Sequence, residues 1–376
     1  MSRLPALFPT IPAHLRAASP DHPVLYFAPS VLQATARQFR AGFDGLVTYA
    51  VKANDAPEVL ENLVAAGLTA FDVASPDEMA KVRAVLPTAV LHYNNPVRSQ
   101  SEISEARGFG VRSWSVDDLG ELEKLGPGRG DEASIRLKLP VRGAAYDFGA
   151  KFGADAAQAV TLLRAAVDRG FRPSMTFHPG TQCADPAAWA SYIATCAEVA
   201  RTAGVTLYRL NVGGGFAAHR NGQAPDLEAI FARISSATAA AFPDGAPALV
   251  CEPGRAMVAE AFSLGTRIKA LRRDGSVFLN DGIYGGLAEA PILGNTDRIV
   301  TLSPNGVPRC GSPRPHTVFG PTCDSLDRLP GEIALPSDMV EGDYVIFAGQ
   351  GAYSSATATR FNGYGRIDQA TVQSLD

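Results

Sequence analysis

Pro173-Ser-Met-Thr-Phe-His178, Thr206-Leu-Tyr-Arg-Leu-Asn-Val212 and Ala248-Leu-Val-Cys-Glu252 are three short β-prone runs, and alanine-rich segments of helical period, 186–203 and 226–241, lie between them. Strand, helix, strand, helix, strand in strict alternation predicts parallel strands joined by crossover helices. Toward the N-terminus the same alternation continues, with β-prone runs at 46–51, 69–73, 89–93, 111–116 and 134–139. Helical candidates at 56–66, 76–85, 117–125 and 156–169 separate most of these runs. Several helices open on Pro or an acid in the first turn, as helix starts favour. Eight such repeats of roughly 26 residues predict a closed (β/α)8 TIM barrel. An open doubly wound sheet is the alternative, weakened because no G-x-G-x-x-G follows the first strand.

Beyond Glu252 the helical period fades. Runs at 277–280, 298–303, 316–319 and 344–348 alternate with turn signals such as Ser303-Pro-Asn-Gly306 and Glu341-Gly-Asp343, which predicts a C-terminal all-β domain. The run Val24-Leu-Tyr-Phe27 fits either part. We place the barrel at 28–258 and the β domain at 1–27 plus 259–376. The 376 residues are ample for two cores. With 34 basic against 38 acidic side chains there is no cationic excess to neutralise a phosphate backbone, so nucleic acid is not an expected partner. No uninterrupted apolar run is long enough for a spanning helix, so no membrane is expected either. Five scattered cysteines make neither a disulfide framework nor a metal knuckle; a cytoplasmic setting without a metal is expected.

A barrel carries its chemistry at the C-terminal ends of its strands. Lys52 follows the first strand, in Tyr49-Ala-Val-Lys-Ala-Asn54. Burial of its stem would favour the neutral amine a Schiff base needs; a snorkelling surface lysine is the alternative. His178, ending the sixth strand, is either a structural histidine or a flat stacking partner. Gly213-Gly-Gly215 is either a flexible turn or a nest for phosphate, which barrels bind after their last two strands. Glu252 ends the eighth strand, in Cys251-Glu-Pro-Gly-Arg255, and would either pair with Arg255 or hold a proton on a heterocyclic nitrogen.

Together with Phe177-His-Pro-Gly-Thr-Gln182, Asn211-Val-Gly-Gly-Gly-Phe216 and Gly320-Pro-Thr-Cys-Asp-Ser325, these motifs resemble the ornithine/diaminopimelate/arginine decarboxylase family over about residues 24–364. The resemblance implies an alanine-racemase-like fold, pyridoxal 5'-phosphate as cofactor and a homodimer with shared sites. It implies that Lys52 holds the cofactor aldehyde, Glu252 pairs with the pyridine nitrogen and His178 stacks on the ring. It assigns Gly213, Gly214, Gly215, Gly254, Arg255 and Tyr353 to the phosphate, with Thr181 where the family often has Ser. Asp72 and Glu78 match a segment near Lys52 and the ring. Cys323 and Asp324 would complete the partner subunit's site, Cys323 as the acid that returns a proton to Cα, with a buried inert thiol as the alternative.

Loss of CO2 from an α-amino acid leaves a carbanion that a protonated pyridinium absorbs. Racemases of this fold place an Arg where Glu252 stands, which disfavours racemisation. A non-catalytic regulator of the same fold is a further rival, and such relatives tend to lose the Lys, Cys or phosphate ligands present here. For the substrate, Cys323-Asp-Ser325 sides with the ornithine type rather than the Cys-Glu-Ser of diaminopimelate enzymes. Glu289, downstream of Asn280-Asp-Gly-Ile-Tyr-Gly285, is the candidate second acid, and Tyr284 and Phe361 are further substrate-site candidates, with a core Phe as the alternative for Phe361. Asp147 either favours a cationic substrate or faces solvent. The resulting expectation is decarboxylation of L-ornithine to putrescine in polyamine synthesis, with lysine, one methylene away and hard to reject, alone or beside ornithine, or diaminopimelate as the alternatives.

Overall fold

A computed structural model describes residues 7–139 and 151–376, and Asp147 lies outside the described residues. The chain forms two units, one of residues 35–217 and 225–254, the other of residues 7–34, 218–224 and 255–376.

The first unit is a closed parallel barrel. Its strands are Leu46–Ala50, Ala70–Val73, Val90–Tyr93, Ser113–Val116, Glu132–Leu137, Arg172–Phe177, Arg209–Asn211 and Ala248–Cys251, each beside its sequence neighbours, with the last pairing the first. All eight expected strands are present, shifted by a few residues at most. The helices start where their caps dictate. Ser75 accepts from the Glu78 amide, Asp155 and Gln158 form a capping box, and Asp185 caps Pro186–Ala203 with Pro in its first turn. Outside the strands, Trp189, Phe216, Phe39 and Phe231 pack edge-on or tilted at centroid distances of 5.1–5.9 Å. Phe177 stacks on Tyr192 at 4.6 Å. Aromatic groups buried in this way carry much of a core's transfer free energy.

The second unit is built on an eight-stranded sheet. Its organising strand is Phe262–Leu271, antiparallel to Val24–Phe27, to Tyr344–Ala348 and to Val277–Leu279. Val24–Phe27 therefore belongs to the β unit, where Asp368–Val372 pairs its other edge in parallel. Gly265 lets the sheet close over Tyr26: a Cβ there would lie 2.8 Å from the Tyr26 ring. The segment 218–224, expected inside the barrel domain, groups with the β unit because Arg298 donates to the His219 carbonyl (2.8 Å) and Thr296 Oγ1 to the Arg220 carbonyl (2.7 Å). Among the described residues no helix is long and apolar enough to cross a membrane.

His92, in the third barrel strand, tests the dryness of the barrel interior. It is buried, its Nε2 has no hydrogen-bond partner among the described residues, and burial pushes its pKa down from 6.5 to about 4, against the pull of Glu132. The unfolded chain takes up this proton near 6.5 and the folded chain only near 4, so the stability it allows is full above that window and falls as pH drops through it. Urea unfolding should show a loss of about 2 kcal/mol from this group between pH 7 and pH 5. A His92→Gln variant should lack that part of the slope.

Candidate active site

In the barrel unit, the site is built from strand ends. Glu252 directly follows the last strand and is buried. Asn94, just past the third strand, donates from Nδ2 to Glu252 Oε1 at 2.5 Å, and Asn211, the last residue of the seventh strand, donates to the same oxygen. Asn211 Oδ1 in turn accepts the Gly213 amide at 2.9 Å, which ties the carboxylate to the glycine loop. Asp72, in the second strand, is buried and hydrogen-bonded to Asn94. Burial raises the pKa of both carboxyls, while Lys52, Arg136 and the amide hydrogen bonds pull them back. Burial also pushes Glu78 up to about 7, although its carboxylate accepts the Ala74 amide at 2.7 Å.

Lys52 stands two residues beyond its strand, in the short turn Val51–Ala53, and is exposed. The expectation that the strand buries its stem is thus corrected: the lysine clears the strand before its side chain begins. Its surroundings come instead from charge, since it acts on Asp72, Glu78, Glu252 and His178. The turn is backed by Gly254, where a Cβ would lie 3.2 Å from the Cβ atoms of Ala50 and Ala53, and by the Ala50 amide on the Pro253 carbonyl (3.2 Å).

His178 accepts the Gly180 amide at Nδ1 (3.1 Å), which puts its own proton on Nε2. Burial, with Arg136 and Lys52 nearby, holds its pKa well below 6.5, so the ring is neutral. A neutral flat ring suits stacking. Gly213 and Gly215 adopt φ of 68° and 81°, and a Cβ on Gly214 would lie 2.7 Å from the Glu252 carbonyl. The loop therefore demands glycine on steric grounds and brings its backbone close to His178 and Glu252. Thr181 follows Gly180, half-buried.

Three contributors escaped the sequence reading: Asn94, Asn211 as a carboxylate ligand, and Arg136. Asn94 and Asn211 stand at strand ends, so the strand-end rule was the available signal. Arg136 lies inside the fifth strand, where burial lowers its pKa and Glu252, Asp117 and Asp72 support its charge. Nothing local in the sequence marks it.

In the β unit a second group assembles. Tyr284 donates to Asp324 Oδ2 at 2.5 Å, and its ring lies 4.9 Å from Phe361. This bond and the Leu326 amide keep the Asp324 carboxyl below the usual range. Cys323 is exposed, which corrects the buried-thiol alternative, and both its amide (3.1 Å) and its Sγ (3.2 Å) meet Asn362 Oδ1. Phe361 is 43% exposed, so it is no core residue. Asn362 has a left-handed φ of 51°, a conformation Asn tolerates better than most residues. Glu289 does not join this group: both its oxygens engage Arg255, whose Cζ also lies 5.0 Å from the Tyr353 ring centroid.

The groups present suit pyridoxal phosphate. The barrel unit offers an amine, a neutral ring, a loop that only glycine can form, and carboxylates that burial makes harder to ionise, so that a positive charge beside them would favour their charged form. A pyridinium N–H would supply that charge.

A family model described as pyridoxal-dependent decarboxylase, pyridoxal binding domain, matches residues 30–259. The chain is 31% identical over 367 residues to an ornithine decarboxylase of Panagrellus redivivus, covering 87% of this chain and 81% of that protein. It is 32% identical over 328 residues to a lysine/ornithine decarboxylase of Selenomonas ruminantium, covering 85% and 81%. Among solved structures, a Paramecium bursaria Chlorella virus arginine decarboxylase bound to agmatine superimposes with a TM-score of 0.85 at 26% identity, covering 95% of this chain and 98% of that one. A lysine/ornithine decarboxylase from Vibrio vulnificus complexed with cadaverine gives 0.81 at 28% identity, covering 94% and 95%.

Asp327 links the loops that carry the second group. It is buried and accepts from the Ile283 amide (3.0 Å), the Thr322 amide (3.0 Å) and Thr322 Oγ1 (2.8 Å). Asp327→Ala would leave these donors unpaired and should destabilise the protein by about 3 kcal/mol in chemical denaturation. Asp327→Asn, which keeps an acceptor, should lose less.

Proposed function

The chain belongs to the pyridoxal-dependent decarboxylase family, and from that premise we propose that it decarboxylates a basic L-amino acid, chiefly L-ornithine to putrescine, as a step of polyamine synthesis. The observation that supports the chemistry best is Glu252, a buried carboxylate clamped by Asn94 and Asn211 on one oxygen. Its other oxygen, which neither amide takes, is the one we assign to the pyridine nitrogen. When bound, pyridoxal phosphate supplies the electron sink for the pair left at Cα as CO2 departs.

In this reading Lys52 holds the cofactor aldehyde and Glu252 keeps a proton at the ring nitrogen. Asp72 and Arg136 tune the charge around that proton, and Asn94 and Asn211 hold the carboxylate still. Neutral His178 covers one ring face. Gly214 and Gly215 present amides to the phosphate, Gly213, whose amide Asn211 holds, shapes the same turn, Thr181 and Gly254 support it, and Arg255 and Tyr353 are assigned to the same group. Asp324, oriented by Tyr284, takes the distal ammonium of the substrate, with Phe361 lining the same pocket. Cys323, held by Asn362, returns the proton to Cα.

Cys323 and Asp324 serve the partner's site in a homodimer. Support comes from Leu326 and Phe361, large apolar side chains that are 70% and 43% exposed and that a second copy would cover. Five free cysteines suit a reducing compartment, and we place the protein in the cytoplasm. A dual lysine/ornithine activity is the second reading. The S. ruminantium relative carries that name, and one methylene is worth only about 1–3 kcal/mol in a pocket.

A CO2-release screen over L-ornithine, L-lysine, L-arginine, meso-diaminopimelate and the D-isomers tests the substrate. Ornithine should give the highest kcat/KM, and a clear preference for diaminopimelate would overturn the role of Asp324. Bound cofactor without CO2 release from any amino acid would point to a silent regulator instead. Lys52→Ala should abolish the visible absorbance of the cofactor joined to the protein.

A further inference from the structure

Glu289 stands immediately before the short helix Ala290–Leu293 and grips Arg255 bidentately, Nη1 on Oε2 and Nη2 on Oε1. The Arg255 side chain is 9% exposed, so the pair is largely withdrawn from water. A second guanidinium is close: Arg220 donates to the Gly294 carbonyl at the end of the same helix (2.8 Å), and its charge is opposed by Arg255 and supported by Glu289. Tyr353 lies against Arg255 from a left-handed backbone, φ 57°. One carboxylate thus faces two guanidiniums, and the cluster keeps a net positive charge.

We propose that Glu289 is a positioning residue for the cofactor phosphate: it fixes the plane of the Arg255 guanidinium so that the N–H groups outside the ion pair are already aimed when the phosphate arrives. This rests on the reading that Arg255 takes the phosphate. The end-on pair uses one N–H of each terminal nitrogen and leaves Nε–H and the second N–H of each. An arginine side chain has considerable rotamer freedom to lose, and a partner that removes it before binding saves that loss at the moment of binding. Because Arg220 adds a second positive charge near the pair, the Glu289 charge is offset and does not turn the cluster against an anion. A carboxylate with both oxygens committed to a guanidinium is also poorly placed to receive a substrate ammonium, which separates Glu289 from Asp324 in role.

The test is titration of cofactor-free protein with pyridoxal 5'-phosphate and with pyridoxal, which lacks the phosphate. Glu289→Ala should raise the Kd for pyridoxal 5'-phosphate about tenfold or more and leave that for pyridoxal unchanged. KM for ornithine, measured with cofactor saturating, should not move. Glu289→Gln, which keeps one acceptor and the side-chain volume, should show a smaller loss and carries the test if the alanine variant does not fold. Unchanged or tighter cofactor binding in both variants, equal weakening toward both aldehydes, or a raised KM with unchanged cofactor Kd would each overturn the proposal. Arg255→Ala separates the premise from the inference. If it leaves the preference for the phosphorylated aldehyde intact, the assignment of Arg255 to phosphate fails first.

Discussion

The buried carboxylate of Glu252 is the constraint on which the barrel site depends. Removing one partner from a buried charge costs about 3–5 kcal/mol, so such a group survives only among donors and opposite charges held at short range. Here the donors come from the ends of the third and seventh strands, and the supporting charges from Lys52 after the first strand and Arg136 in the fifth. These groups converge because the barrel closes, with the strand that precedes Glu252 pairing with both the first and the seventh. The same closure brings Asp72 within range; burial makes both acids harder to ionise than in water, and the Asp72 charge adds to the effect at Glu252.

The β unit solves a different problem, that of holding loop-borne side chains still. Cys323, Asp324, Tyr284 and Phe361 all lie in loops or short turns, where nothing in a strand ladder orients them. Buried acids take over that task. Asp327 bridges the two loops, while Asp281, pushed up to about 7 by burial, receives the Gly286 amide at 2.8 Å and closes the turn that carries Tyr284. The Thr359 amide and hydroxyl both reach the Tyr284 carbonyl, at 2.8 and 3.0 Å, and so dock the segment leading to Phe361 and Asn362. Asp327 acts through the Ile283 and Thr322 amides and the Thr322 hydroxyl, and Asp281 through the Gly286 amide.

What was legible, and what was not, follows the range of the forces involved. The barrel strands announced themselves by apolar β-prone runs, and the helices between them by caps such as Ser75, Asp155 and Asp185, because each signal is local. Several helices went unread, among them Ile11–Ala18, Pro29–Gly42 and Gln100–Gly108. Pro29–Gly42 buries Leu32, Ala36 and Phe39 at helical spacing, but within a polar stretch before the alternation begins. Gln100–Gly108 buries little beyond Ile103 and Ala106, so its Ser99–Glu102 capping box was the stronger clue. The long strand Phe262–Leu271 was missed as well, because it is covered by neighbours from both ends of the chain and shows no alternation. Among site groups, Arg136 resembled any strand arginine until Glu252, Asp117 and Asp72 surrounded it.

By itself the sequence of 376 residues determined the alternation that makes a barrel, the appended β domain and a set of strand-end residues whose chemistry points to one cofactor. Those features depend on neighbours in the chain and on spacing. Only the tertiary structure decided which carboxylate serves which cation. Spacing alone left Glu252 free to pair with Arg255, three residues on, and Glu289 free to await a substrate amine. Folding instead gives Glu252 to Asn94 and Asn211 and gives Arg255 to Glu289. The physical reason is that a charge leaving water takes whatever partner the closed fold delivers at hydrogen-bond distance, and that delivery involves residues up to 158 positions apart in sequence.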